Sequence, residues 1–139
     1  MIFFDTGFLY AYINAGDSNH PSTLEIMKNS FAGEYGRMII SNYIIDEAIT
    51  LGLSRTGDCT LATKFLNFLH EKNFRKNIFL EIIIDKDLMQ HTEKLFAIYC
   101  HKRLSYTDCS TLAVMENYKI DFLATFAHEF KGIVSILPG

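Results

Sequence analysis

The chain lacks the features that mark membrane, secreted or disulfide-stapled proteins. No apolar run approaches the roughly 20 residues that a spanning helix needs. The opening Met1-Ile2-Phe3-Phe4-Asp5-Thr6-Gly7-Phe8 has no basic segment and no small-residue cleavage site, so a cytoplasmic location is expected. The 3 cysteines, Cys59, Cys100 and Cys109, are odd in number, far apart and without a CxxC pair. That argues against a zinc site or a redox pair and predicts buried small apolar residues in a reducing compartment. A basic surplus is missing too: the net charge is -3. This argues against a high-affinity nucleic-acid binder but leaves a nuclease open, because metal-binding carboxylates lower the net charge without covering the whole surface. Only 2 prolines, Pro21 and Pro138, occur, with no Gly/Ser linker, charged block or repeat. Residues 1–139 are therefore expected to form a single domain.

What is present is a globular composition, 49% hydrophobic and 21% charged, in which short apolar runs alternate with helical stripes. Ile2-Phe3-Phe4 reads as a strand ending at Asp5, followed by helical spacing through Phe8, Leu9, Tyr12 and Ile13. His20-Pro21 opens a second helix to about Phe31, with proline where the first turn tolerates it. Residues 37–41 read as a strand, and Ile44 to Leu53 as a helix broken at Gly57. Residues 58–71 read as a helix capped by Asp58. A strand is expected over 79–84 and a long helix over 85–101. Thr107 is expected to cap a helix reaching about Asn117. A strand over 121–125 and a short one over 133–137 complete the pattern. The expected fold class is α/β, with a central twisted parallel sheet of four to five strands flanked by helices.

In such sheets ligands bind beyond the carboxyl ends of the strands, near the point where strand order reverses. Three acids stand at suitable places. Asp5 ends an apolar strand abruptly; it either caps the next helix or serves chemistry. Glu47 sits one helical turn beyond Tyr43 on a partly apolar face, while Asp46 is rotated about 100° away toward solvent. Asp108, in Ser105-Tyr106-Thr107-Asp108-Cys109, lies in the first turn of its helix, where the helix dipole favours an acid. Carboxylates brought close together repel and raise one another's pKa. A hard divalent cation reverses that cost, which gives acids from distant positions a reason to converge.

These segments resemble the motifs of PIN domains. Ile2-Phe3-Phe4-Asp5-Thr6 with Phe8-Leu9-Tyr10 is similar to the opening motif, and Asp17 with His20-Pro21 to the stretch that follows it. Residues 41–47 resemble the second motif, with Glu47 at its acidic position, and residues 104–109 resemble the third. Ala124-Thr125-Phe126 and His128-Glu129-Phe130 resemble the closing motif. The resemblance spans nearly all 139 residues. It implies a PIN-like domain and a Mg²⁺- or Mn²⁺-dependent endoribonuclease of the VapC toxin type, hydrolysing RNA with metal-activated water. It further implies a small antitoxin partner and a homodimer. Carried over by position, Asp5, Glu47 and Asp108 are the catalytic and metal-site acids, with Thr6, Thr107 and Thr125 in support. One departure stands out: the position after Thr125-Phe126 that commonly holds a fourth acid is Ala127. Glu129 and His128 are the candidate substitutes.

Other signals carry less. Asp5-Thr6-Gly7 also resembles the haloacid-dehalogenase phosphatase opening, but Gly7 stands where a second aspartate is required. The 5 histidines form no HExxH or similar metal spacing. The densest basic stretch, residues 70–77, is either a solvated connection or an RNA-binding rim in which Phe74 stacks while Arg75 and Lys76 hold phosphates. Lys102 and Arg103, just before Asp108, are further candidate RNA contacts. Two functions from different classes follow: a metal-dependent ribonuclease or RNA-processing enzyme, and a catalytically weakened domain that docks RNA or protein.

Overall fold

The computed structural model describes residues 1–139. The chain runs β1 (Ile2–Phe4), α1 (Thr6–Ile13), α2 (His20–Phe31), β2 (Met38–Ser41), α3 (Asn42–Thr56) and α4 (Cys59–Leu69). It continues through β3 (Lys72–Asn73), β4 (Lys76–Asn77), β5 (Phe79–Ile82), α5 (Lys86–Tyr99), α6 (Tyr106–Tyr118), β6 (Phe122–Ala124) and β7 (Ser135–Leu137). Short 3-10 turns occupy Cys100–Lys102 and His128–Phe130.

Five strands form one parallel sheet in the order β5-β2-β1-β6-β7. The fold class is that read from the sequence. β1 is central, and Ile2, Phe3 and Phe4 are all fully buried. Neighbouring strand residues point to opposite faces, so both faces of the sheet are covered. Phe4 packs against Phe8 of α1 and Phe79 of β5, and Phe79 packs against Phe68 of α4. These aromatic rings tie α1 and α4 to the Phe4 face.

From β1 the chain steps outward to β2 and β5, then returns across the sheet to β6 on the other side of β1. The strand order therefore reverses between β1 and β6. Their register pairs Phe4 with Ala124, which brings the next residues, Asp5 and Thr125, together at the carboxyl edge. This is the switch point at which open α/β sheets form their ligand crevices.

Four expectations are corrected. The helix expected to begin under Thr107 is capped by Ser105, whose hydroxyl accepts from the Asp108 N–H while the Asp108 carboxylate accepts from the Ser105 N–H. Within residues 70–77 the reading as a plain connection gives way to a two-stranded hairpin over 72–77, and the reading as a rim is untouched. The third sheet strand stops at Ile82 rather than Ile84, because the Ile84 N–H turns to the Asn42 side chain at 2.8 Å. Only Cys109 is buried; Cys59 and Cys100 are exposed.

Candidate active site

Asp5 leaves β1 with its backbone N–H still bound to the Ala124 carbonyl at 3.0 Å. Its side chain then does two jobs. Oδ1 accepts from the Thr6 N–H at 2.9 Å, so Asp5 caps α1; Oδ2 accepts from the Thr125 hydroxyl at 2.7 Å. The capping reading is thus correct, and it leaves the carboxyl at the switch point. Thr125 is fixed in turn, because its Oγ1 accepts from the Ala127 N–H at 3.0 Å.

Burial is the main force on Asp5, which is only 8% exposed. Burial, followed by the charges of Asp108 and Glu47, pushes its pKa up to about 7, against the pull of Thr125 and Thr6. The charges of Asp108 and Glu47 therefore both reach the Asp5 carboxyl. Asp108 is half-buried, and its carboxyl is also pushed up, first by burial and then by the charge of Glu129, while Ser105 opposes both.

Glu47 comes from the second turn of α3, which Ser41 starts by accepting from the Ile44 N–H at 3.3 Å. Glu47 is half-buried and Asp46 exposed, as helix rotation dictates. Glu47 and Thr107 line one open groove of about 350 Å³, which joins α3 to the first turn of α6. Lys102 and Arg103 lie exposed in the turn leading into α6.

The remaining candidates separate. Glu129 is exposed yet acts on Asp108 through its charge. His128 lines a different cavity of about 330 Å³, with Asn19, Ser22, Thr125 and Lys131. Asp121 precedes β6 at the opposite end of that strand, where its carboxylate meets the Met1 amino group at 2.6 Å. Arg75 and Lys76 also lie at that far pole, on the hairpin before β5, and are not brought to the acids.

Sequence reasoning missed two features of the site. Ser105 holds Asp108 in place, and the S-x-x-D spacing was the available signal. Tyr106 opens α6, its hydroxyl donating to Glu93 at 2.9 Å and its ring packed near Tyr43 and Phe96. No local pattern marks it.

A five-stranded parallel sheet with a buried aspartate at its switch point defines the class, and the PIN domain family model matches residues 2–134; the chain belongs to the PIN domain family. Among its relatives is a VapC ribonuclease of Archaeoglobus fulgidus, 26% identical over 120 residues, 86% of this chain and 73% of that protein. Among solved structures it is similar to Mycobacterium tuberculosis VapC20, described as a sarcin-ricin loop cleaving toxin, with TM-score 0.78 and 24% identity over 94% of this chain and 92% of that one. VapBC2 of Rickettsia felis, solved bound to a DNA fragment from its promoter, matches with TM-score 0.67 and 16% identity over 98% of this chain and 97% of that one. A toxin-antitoxin complex from Klebsiella pneumoniae matches with TM-score 0.63 and 19% identity over 99% and 96%. At these identities the solved structures establish the fold.

Proposed function

We propose that this protein is a divalent-metal-dependent endoribonuclease of the VapC toxin type, restrained by a small antitoxin protein and acting as a homodimer. One observation supports the reading: the buried Asp5 carboxyl at the switch point carries the charge of Asp108 and Glu47 against it, with no basic side chain paired to it. Such mutual repulsion is what a Mg²⁺ or Mn²⁺ ion relieves. The donor set fits a hydrated ion. No three His, Cys, Asp or Glu side chains converge closely enough to ligate one ion together, and Mg²⁺ takes one or two carboxylates and keeps several waters. The Thr6 hydroxyl next to Asp5 is buried without a partner, which also suits a site completed by a ligand.

In this reading Asp5, Asp108 and Glu47 would hold the ion. A bound ion supplies charge neutralisation at the phosphodiester and makes a water more acidic. Thr125 and Ser105 fix the two aspartates, so little rearrangement is needed on binding. Thr107 lines the approach from α3, and Lys102 and Arg103 hold substrate phosphates.

Cleavage of a mixed RNA pool after EDTA stripping, with and without added MgCl₂ or MnCl₂, tests the reading. Cutting is expected only with metal and only with Asp5 intact. Equal cutting in EDTA, or by the Asp5→Asn protein, would reject it. The alternative, a domain that docks without cutting, draws on Ala127; RNA binding with no cleavage under any metal would favour it.

A further inference from the structure

The largest cavity, about 510 Å³, opens at the pole opposite the acids. Gly36 and Arg37 lead into β2 there, and Ile78 leads into β5. The groove is lined by two aromatic rings, Phe31 and Phe74, and two cations, Arg37 and Lys76. Phe31 is 47% exposed and Phe74 is 94% exposed. Arg37 commits one nitrogen to the Ile78 carbonyl at 2.9 Å, and its other donors remain. Lys72 and Arg75 flank the groove on the hairpin, so four of the chain's 13 lysines and arginines gather in one place. None of the four is ion-paired.

The hairpin turn is unusual. Its central residues, Phe74 and Arg75, have φ 51 and φ 67. A two-residue turn with both values positive ordinarily takes Asn-Gly, and a bulky residue there is strained. Burial does not compensate Phe74, which stands almost wholly in solvent. Strain retained without packing in return points to use of the ring by something outside the fold. An aromatic ring flanked by unpaired cations, in place of a continuous apolar patch, suits a polyanion that carries flat bases.

We propose that the β3–β4 hairpin and this groove form an exosite for single-stranded RNA, with bases stacking on Phe74 and Phe31 and phosphates meeting Arg37, Lys72, Arg75 and Lys76. The proposal rests on the reading of the chain as an RNA-acting protein and deepens it. A protein with net charge -3 and an acidic crevice repels RNA, and a basic pole supplies the missing attraction. Strands rising about 3.3 Å per residue separate the two poles, so only RNA longer than the cleaved site reaches both.

Binding is best measured in the Asp5→Asn background, where affinity is read independently of cutting. The probe is a labelled unstructured oligoribonucleotide, longer than the about 16 nucleotides of an extended single-strand site. Phe74→Asn should weaken binding between about 5- and 150-fold, the value of one stacked base. Its melting temperature should hold or rise, because asparagine tolerates positive φ. Phe74→Tyr, which keeps the ring, should bind like the parent. Replacing Arg75 and Lys76 with Ala together should reduce the salt slope by about 1.4, roughly 0.7 per phosphate contact on a single strand. With Asp5 restored, Phe74→Asn should raise KM for long RNA and leave kcat unchanged. Unchanged affinity and salt slope in these variants would overturn the exosite, as would a change confined to self-association. A protein that cuts no RNA under any metal, yet loses binding on Phe74→Asn, would defeat the nuclease reading and uphold the exosite.

Discussion

Asp5 is stabilised by two hydrogen bonds and destabilised by burial and two like charges, and the second group of effects wins. Its folded pKa of about 7 lies above the ordinary 3.8, so between those values the folded state holds a proton that the unfolded state has lost. Stability is therefore full below about pH 4 for this group and falls as pH rises toward 7, by an amount on the order of a few kcal/mol. In EDTA, melting temperature should fall across that window in the parent and fall less in Asp5→Asn. A flat parental profile would remove the repulsion argument. Adding MgCl₂ should restore the parent near pH 7 and leave Asp5→Asn unmoved. Ala127 offers the reverse test, because its N–H already holds Thr125 and only its methyl group is changed. Ala127→Asp should tighten Mn²⁺ binding by calorimetry and raise cleavage at low metal, with little gain at saturation. The double variant Ala127→Asp with Glu129→Gln distinguishes a vacant acidic position from one that Glu129 already fills. In the second case alone, the new aspartate rescues the loss of Glu129.

At the scale of elements, the capping box of α6 sets the position of Asp108. Ser105→Ala removes the acceptor for the Asp108 N–H and should cost about 1 kcal/mol. For a domain of this size that lowers the melting temperature by about 3 °C. Cleavage well below both transitions should change little, because the Asp108 carboxylate keeps its bond from the Ser105 N–H; a large loss of rate there would show that the hydroxyl itself positions Asp108. Most elements could be read from the chain because burial imposes its period on the residues. The Ile2–Phe4 strand is apolar throughout, and its end at Asp5 is abrupt. The helices read over 58–71 and 85–101 run Cys59–Leu69 and Lys86–Tyr99, and of their apolar stripes Phe65, Leu69, Leu88 and Leu95 are buried while Leu66 and Phe96 are exposed. Local chemistry was read less well. Ser105 and Thr107 are both good caps, and only the pairing with Asp108 decides between them. The Lys72–Asn77 hairpin has no alternation and no glycine at its turn, so nothing in the local pattern announces it. The acids were found as isolated residues. The pairing of Asp5 with Thr125 depends on strand order, which no local spacing encodes.

For the whole molecule, the fold gives the protein two poles of opposite character, acids at the carboxyl edge of the sheet and cations at the other. An acidic crevice without its ion attracts guanidinium groups, which bind carboxylates in a bidentate fashion. A restraining antitoxin is accordingly expected to insert an arginine near Asp5 and Asp108. Co-expression with the open reading frame immediately upstream, followed by affinity capture, should recover a complex that Asp5→Asn weakens. Capture unaffected by that substitution would move the contact elsewhere.

The hydrogen bond between Thr125 and Asp5 joins positions 120 residues apart. β1, at the centre of the sheet, waits for β6 before one of its edges is covered, and domains of this kind fold as units. The pairing of Asp5 with Thr125 therefore waits for the chain to reach β6. A chain broken before Thr125 leaves Asp5 without its hydroxyl partner and the central strand with one edge bare.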